Sequence, residues 1–522
     1  MAELANTLKK NRTQLIVLAV LAALFFSATQ GMETEDWAIT VLRGLSVGAL
    51  TFLVASGFSL ILGLMDVLNL AHGELFMIGA YVGWTVYVRP DTFVDVLPPL
   101  ALLGAGLALM PVLRLVLARQ AIPPRAAQVW PWLALLLGGV ILWFTLRQFP
   151  VTIWNPEEFA LSPATYALAR SQGTLQLPEP EPFASGVFLP VIGTLLGGLL
   201  LAAGIVGLGL RRPTAVSRSA LPRAPFVGAG LLLLLGLGTL VANDSLTSAL
   251  FTMSTTALFF VAMLVATLTG ALTGALVETT LIRPLYDRPI YQIMLTLGLS
   301  FIGIELVRTV WGRPEFTMPK PDLFAGTGEG CGTEVLGFWE RIANQCSTVF
   351  LFDGRVRTYN EIFVIFVGVV VLIAVWLLLQ RTRIGMIIRA GVQDSEMVEA
   401  LGINVRRVFT LVFALGVGLA ALGGVLAGPS LGLSNEMGTR VLLLALIALA
   451  IGGLTSFPGA AAGAVLVGLL QQFIIKYGQI GINLPFLAEP FKPSPPLVPA
   501  STVLLMVIIL LILPQGLFGR KE

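Results

Sequence analysis

The chain has 522 residues, 56% of them hydrophobic and 12% charged, with a mean hydropathy of +0.89 and a net charge of +3. A soluble protein carries roughly 25% charged residues, so a solvated multidomain enzyme is excluded, and two cysteines cannot staple a disulfide scaffold of this length. A net +3 with no basic tract gives nucleic acid no footing, and the single histidine, His72, excludes multi-histidine zinc or haem sites.

A spanning helix needs about 20 largely apolar residues, because lipid cannot satisfy an open backbone. The expectation is therefore all-α, a polytopic transmembrane helical bundle. Spans are expected near 13–30, 38–64, 74–88, 97–113, 127–147, 187–210 and 224–243, then near 250–282, 290–311, 361–380, 406–428, 439–453, 459–477 and 498–514. Several are short, so the number is about 12–14. With the N-terminus in the cytoplasm, nineteen of the 32 basic residues fall in short cytoplasmic segments. They are Lys9, Lys10, Arg12, Arg114, Arg119, Arg125, Arg211, Arg212, Arg218, Arg223, Arg283, Arg288, Arg381, Arg383, Arg389, Arg406, Arg407, Arg520 and Lys521. The segments assigned outside are longer and acidic in places, as at Glu33, Glu35, Asp36, Glu157, Glu158, Glu179 and Glu181. Both termini come out cytoplasmic. The first span also has the basic flank and short apolar core of a signal peptide, but no small-x-small site follows Phe26, which favours an uncleaved helix.

Three stretches of the chain carry polar chemistry. Asp66, Asn69, His72 and Glu74 interrupt a long apolar run; they either face a cavity or partner, or form a wet helix-breaking turn at the cytoplasmic surface. The external loop at about 312–360 holds Cys331 and Cys346, which either pair across fifteen steps or remain two thiols. The longest cytoplasmic polar stretch, 381–407, contains Asp394, Ser395, Glu396, Met397, Glu399, Ala400, Leu401 and Gly402. Asp394 suits an N-cap, the two glutamates suit the positive end of a helix, and Gly402 suits its stop. That stretch reads equally as a surface docking helix over 395–401 or as a basic loop whose arginines fix topology. Gly452-Gly453 and Pro458-Gly459 are candidates for a helix break. Glu305/Arg308 and Glu436/Arg440 have the spacing of structural helix pairs, and 55 glycines make chance G-x-x-x-G matches uninformative.

None of the six lysines follows a glycine, so there is no phosphate-cradling G-x-x-x-x-G-K loop, and any ATP chemistry belongs to another chain. Glu399-Ala400-Leu401-Gly402 resembles the coupling loop of ABC importer permeases. The wider run from Arg381-Thr-Arg383-Ile-Gly385 to Leu401-Gly-Ile-Asn-Val405 is similar to the LivH-type permease of branched-chain amino-acid importers. So are Asn69-Leu-Ala-His72-Gly73-Glu74, Glu278 with Arg283-Pro284-Leu285, Thr296-Leu-Gly298-Leu-Ser300, Gly452-Gly453, Phe457-Pro458-Gly459 and Pro514-Gln-Gly516-Leu-Phe-Gly519.

The resemblance covers roughly 38–88, 250–312 and 362–522. It implies an ABC-importer permease bundle with 1–37 as a tail and extra leading helix and 38–90 as a first core block. Residues 91–246 would be inserted helices, and 247–522 a second core block with the loop 312–360 and the coupling loop 381–407. It further implies a bacterial cytoplasmic membrane and four partner chains: two ATP-binding subunits, a second homologous permease and an external substrate-binding protein. No cofactor would sit on this chain, ATP and Mg being held by the partners. Residues 394–402 would then couple, and Asn69, His72, Gly73 and Glu74 would shape the translocation pathway. Urea or short-amide import is the alternative within the class; a stand-alone secondary carrier or an intramembrane enzyme is the rival outside it.

Overall fold

A computed structural model describes residues 12–27, 31–120, 123–151, 163–177, 183, 186–210, 223–326, 328–332, 335–351, 353–393, 395–483 and 489–519. A helix lies at each expected span: α1 (Arg12–Ser27), α2 (Thr34–Met65), α3 (His72–Val88), α4 (Pro90–Ala108), continued by α5 (Met110–Ala118), and α6 (Pro124–Leu146). The short α7 (Pro163–Ser171) precedes α8 (Phe188–Gly209), α9 (Arg223–Val241), α10 (Asn243–Thr252), α11 (Thr255–Val277) and α12 (Pro289–Trp311). A small extramembrane element, α13 (Phe338–Ala343) with strands β1 (Thr348–Leu351) and β2 (Gly354–Arg357), leads into α14 (Val364–Arg381). Then come α15 (Arg383–Gln393), α16 (Ser395–Ala400), α17 (Val405–Leu431), α18 (Met437–Gly452), α19 (Phe457–Ile480) and α20 (Leu497–Ile512). Among the described residues, ten helical segments are long and apolar enough to cross a membrane unaided, and α18 and α20 are shorter apolar helices. The protein is a polytopic helical membrane protein.

The chain divides into two compact units. One contains the chain up to Trp84, Pro163–Ser171 and everything from Ser254 onward. Its axis is α2, against which α14, α17, α18 and α19 pack, while α11 packs on α17. A helix segment enclosed on all sides needs no polar stripe, which is why the buried stretch of α2 from Leu50 to Ile61 is apolar all round and its polar side chains are small hydroxyls. Of these, Ser56 donates to Leu53 O at 3.0 Å and Ser59 to Leu454 O at 3.2 Å. The other unit, Thr85–Ser162 with Gln172–Met253, packs α8 against α6 and α4, and α9 against α4. It contains two polar pairs near the start of α4: Arg89 holds Asp91 at 2.7 Å and Asn243 donates to Asp95 at 2.7 Å. Its outward leucines and aromatics, such as Leu136, Phe144 and Leu234, are exposed, as lipid-facing side chains should be.

In the first unit, the β1–β2 hairpin pairs Val349 with Val356 and buries both on Ile39 near the start of α2. Arg43 of α2 adds an ion pair to Glu361 at 2.9 Å. The preceding loop is closed by a Cys331–Cys346 disulfide. Inside it Arg341 is buried, donating to Leu336 O and Cys331 O at 3.1 Å and stacking over Phe350.

Three elements depart from the expected spans. The run 250–282 is interrupted, because Met253 is extended and the Ser254 hydroxyl accepts from Ala257 N, starting α11 afresh after the short α10. The fourth span begins at Pro90, earlier than 97, since proline at a first helical position is well tolerated. The arginine-rich stretch before Asp394 is a helix, α15: Thr382 accepts from Gly385 N at 3.0 Å, and the helix buries Ile388 while packing on α2 and α17.

Opening the disulfide loop should be readable at Arg341. Trypsin should leave that bond intact in the oxidised protein but cut it in Cys331→Ser/Cys346→Ser, whose loop loses an ordering contribution of about 3 kcal/mol. Equal cleavage in both proteins would show that the disulfide does not order this loop.

Candidate functional site

The strongest polar cluster lies inside the first unit, where α3 and α18 both begin. Asp66 ends α2 in the left-handed conformation, with φ 52°, and the chain turns back alongside the helix it has just left. Asn69 shapes this return: its Oδ1 accepts from Ala71 N at 3.2 Å, and its carbonyl accepts from His72 N. His72 Nε2 then meets Val54 O at 3.2 Å, and its ring stacks edge-on against Phe58. Val54 is eleven residues before the end of α2, so His72 sits about 16 Å along the helix from that end.

The cytoplasmic-surface reading of this turn is therefore corrected. His72 and Asn69 are 0% exposed and Glu74 is 2% exposed. Nor do these residues line an open path here, because they are packed between helices. The chain re-enters because Val67 and Ala71 are apolar enough to be buried with it.

Gly73 and Gly438 seal the junction. A Cβ on Gly73 would lie 2.4 Å from Gly438 O, and one on Gly438 would lie 2.5 Å from Gly73 O, so the first turns of α3 and α18 touch backbone to backbone. Beside them Thr439 donates to Glu74 Oε1 at 3.1 Å. Three buried polar atoms here, Asn69 Nδ2, His72 Nδ1 and Glu74 Oε2, have no hydrogen-bond partner among the described residues. Such atoms are costly to bury and rare in clusters.

The arginine-rich end shows the opposite condition. Glu278 is 0% exposed and fully satisfied: Arg283 donates to it at 2.8 and 3.1 Å, Tyr286 at 2.5 Å and Thr410 at 2.7 Å. A π-helical turn over Glu278–Ile282 lets a pair five residues apart meet, which ordinary helix spacing does not allow. Burial and the bond to Glu278 push the Tyr286 hydroxyl pKa up, keeping it a neutral donor. This brace ties the end of α11 to the first turns of α17. Glu278 and Arg283 stood out in the sequence only by resemblance; the five-residue offset conceals the pair.

Next to the brace, α16 forms an elbow between α15 and α17. Gly402, at φ +82°, closes α16 by donating to Glu399 O, while Ile403 N reaches Val398 O. These two bonds make a Schellman stop, and only glycine takes that φ without strain. Asn404 then caps α17 through Arg407 N. Val398 is buried, whereas Met397, Glu399, Ala400 and Leu401 are exposed, Leu401 to 73%. Asp394 and the side chains of Ser395 and Glu396 lie outside the described residues.

At the same end the chain breaks between α18 and α19. Gly453 turns it with φ 110°, Ser456 caps α19 through Gly459 N, and Pro458 occupies the first turn, where its missing N–H costs nothing. Gly452 and Gly459 meet backbone to backbone across the break. The final segment clasps it, with Leu517 N donating to Ile451 O and Phe518 N to Gly452 O.

Comparison with known proteins adds the family. The profile described as branched-chain amino acid transport system / permease component matches residues 40–175 and 226–513. The chain belongs to this permease family. The match runs through much of 91–246 and leaves out 176–225. Among curated relatives, the high-affinity branched-chain amino acid transport system permease protein BraD of Pseudomonas aeruginosa is 30% identical over 171 residues, covering 33% of this chain and 51% of the relative. LivH of Escherichia coli K12 is 28% identical over 172 residues, with the same coverage. The fructose import permease protein FruF of Bifidobacterium longum is 31% identical over 120 residues, covering 22% of this chain and 34% of the relative. The chain thus spans about half the length of the first two relatives, and no solved structure matches.

If the permease depends on the sealed junction, Gly73→Ala and Gly438→Ala should each lower stability by about 1–3 kcal/mol through overpacking, and the two losses should be non-additive because both fill one gap. Thermal unfolding of the detergent-purified variants measures this. Additive losses, or none, would mean the backbones do not touch.

Proposed function

We propose that the chain is the membrane-spanning subunit of an ATP-driven importer for branched-chain amino acids. It would lie in a bacterial cytoplasmic membrane with both termini cytoplasmic and pair with a second homologous permease. Two ATP-binding subunits holding ATP and Mg would act on the arginine-rich end, and an external binding protein would deliver substrate to the opposite end.

The observation that carries the reading is the α15–α16–α17 elbow. A helix too short to be stable alone is held by a Schellman stop and one buried valine, and it presents exposed apolar and acidic side chains away from the bundle. That is the form of a docking element rather than of a topological loop.

The route inward is equally specific. Movement of α16 reaches α17 through the two residues between Gly402 and Val405. Helix α17 is braced to Glu278 by Thr410 and meets α2 where Gly416 touches Gly57, beside His72. Further on it meets α3, where Gly424 touches Phe76 O. In this reading the Asn69–Glu74 junction is the element that rearranges, and its unpartnered atoms find partners in the second state. Asn69, His72, Gly73 and Glu74 then act as the seal of the pathway.

Substrate identity rests on BraD and LivH, while the fructose permease relative widens the panel to be tried. Leu401→Asp places a charge in the docking surface without touching the core. It should leave the purified permease as heat-stable as wild type while abolishing co-purification of the ATPase subunits. Retention of those subunits would remove 394–402 from the coupling role.

A further inference from the structure

At the end of the first unit opposite the arginine-rich end, a cleft of about 350 Å³ is lined by Arg308, Arg313, Glu315, Asn435, Glu436 and Arg440. Its floor is rigid. Phe316 and Leu433 exchange backbone hydrogen bonds at 3.2 and 2.8 Å, Asn435 Nδ2 donates to Arg313 O at 3.1 Å, and Tyr81 donates to Asn435 at 3.4 Å. Two of the three arginines are occupied locally, Arg308 by Glu305 of the same helix at 2.7 Å and Arg440 by Glu436, the residue before α18, at 2.8 Å. Arg313 and Glu315 are exposed, separated only by Pro314, and neither forms an ion pair with a described residue.

One unpaired guanidinium and one unpaired carboxylate on a fixed backbone select among solutes by charge. A simple anion meets Glu315 and Glu436, a simple cation meets the arginines, and an uncharged sugar gains hydrogen bonds but no ionic contact. A zwitterion satisfies both. The lining is polar throughout, so it offers an apolar side chain no surface to read.

The cleft also lies directly over the seal. Arg440 follows Thr439, whose hydroxyl holds Glu74 at the junction of α3 and α18.

We propose that this cleft is the entry site for the substrate head group, with the α-carboxylate on Arg313 and the α-ammonium on Glu315, before the junction opens. The proposal rests on the amino-acid importer reading and deepens it. Entry then recognises the part common to all α-amino acids, and discrimination among side chains falls to the binding protein.

The test uses the complete importer in proteoliposomes, with both permeases, the ATPase subunits and the binding protein. Arg313→Gln and Glu315→Gln should each cut leucine uptake about tenfold at limiting loaded binding protein. Basal ATP hydrolysis and the affinity for the binding protein should stay within about twofold of wild type. Uptake within about twofold of wild type in the double variant overturns the entry site. So does a loss matched by weaker binding-protein affinity, which would make these charges a docking contact. A wild-type importer that moves fructose or urea but no amino acid overturns the underlying reading, and the head-group assignment with it.

Discussion

The contact of Gly73 with Gly438 is the constraint on which the rest of the first unit depends. Two helices start there inside the protein, and the first turns of a helix carry N–H groups without internal partners. In lipid such ends are not tolerated, so they exist only where other helices enclose them. This accounts for α2 being surrounded by α14, α17, α18 and α19. It also accounts for the exceptional smallness of the residues where α3, α17, α18 and α19 approach one another.

Against that background the few charges are distributed with a clear logic. Glu278 is buried and saturated by three side chains, and Arg89 and Glu361 are likewise buried with ion-pair partners. The Glu278 and Glu361 contacts tie elements together, whereas Arg89–Asp91 is local to the start of α4. The Asn69–Glu74 segment differs, with the densest group of unpartnered buried polar atoms among the described residues, three in six residues. Among the described residues, the least settled polar contacts therefore cluster at the start of α3. The nearest rigid link from that place to the arginine-rich end is α17, which touches Glu278 through Thr410 and the α2–α3 region through Gly416 and Gly424.

Much of this was legible in the sequence, because hydropathy alone reports which segments are helical in lipid. The α16 stop was legible too, since Gly402 after an acidic helix has a narrow set of uses. Other features were hidden for identifiable reasons. Helix α15 is amphipathic and rich in arginine, so it reads as a loop until Ile384, Ile387 and Ile388 are taken as one face and Thr382 as its cap. The Glu278–Arg283 pair needs a π-turn that no spacing rule anticipates. The sequence leaves the depth of His72 open because alternation of spans assumes that every turn reaches the surface, whereas Asp66 to Ala71 turns back inside. The cleft at Arg313 joins residues more than a hundred positions apart and left no sequence signal beyond two helix-spaced ion pairs.

In the proposed importer this chain supplies the path and other chains supply the energy. Uptake of radiolabelled leucine into proteoliposomes tests it most directly, comparing the permease alone with the assembly that adds its partner permease, ATPase subunits and loaded binding protein. ATP-dependent accumulation by the full assembly, and none by the permease alone under any imposed ion gradient, is the expected result. Gradient-driven leucine accumulation by the permease alone would contradict it.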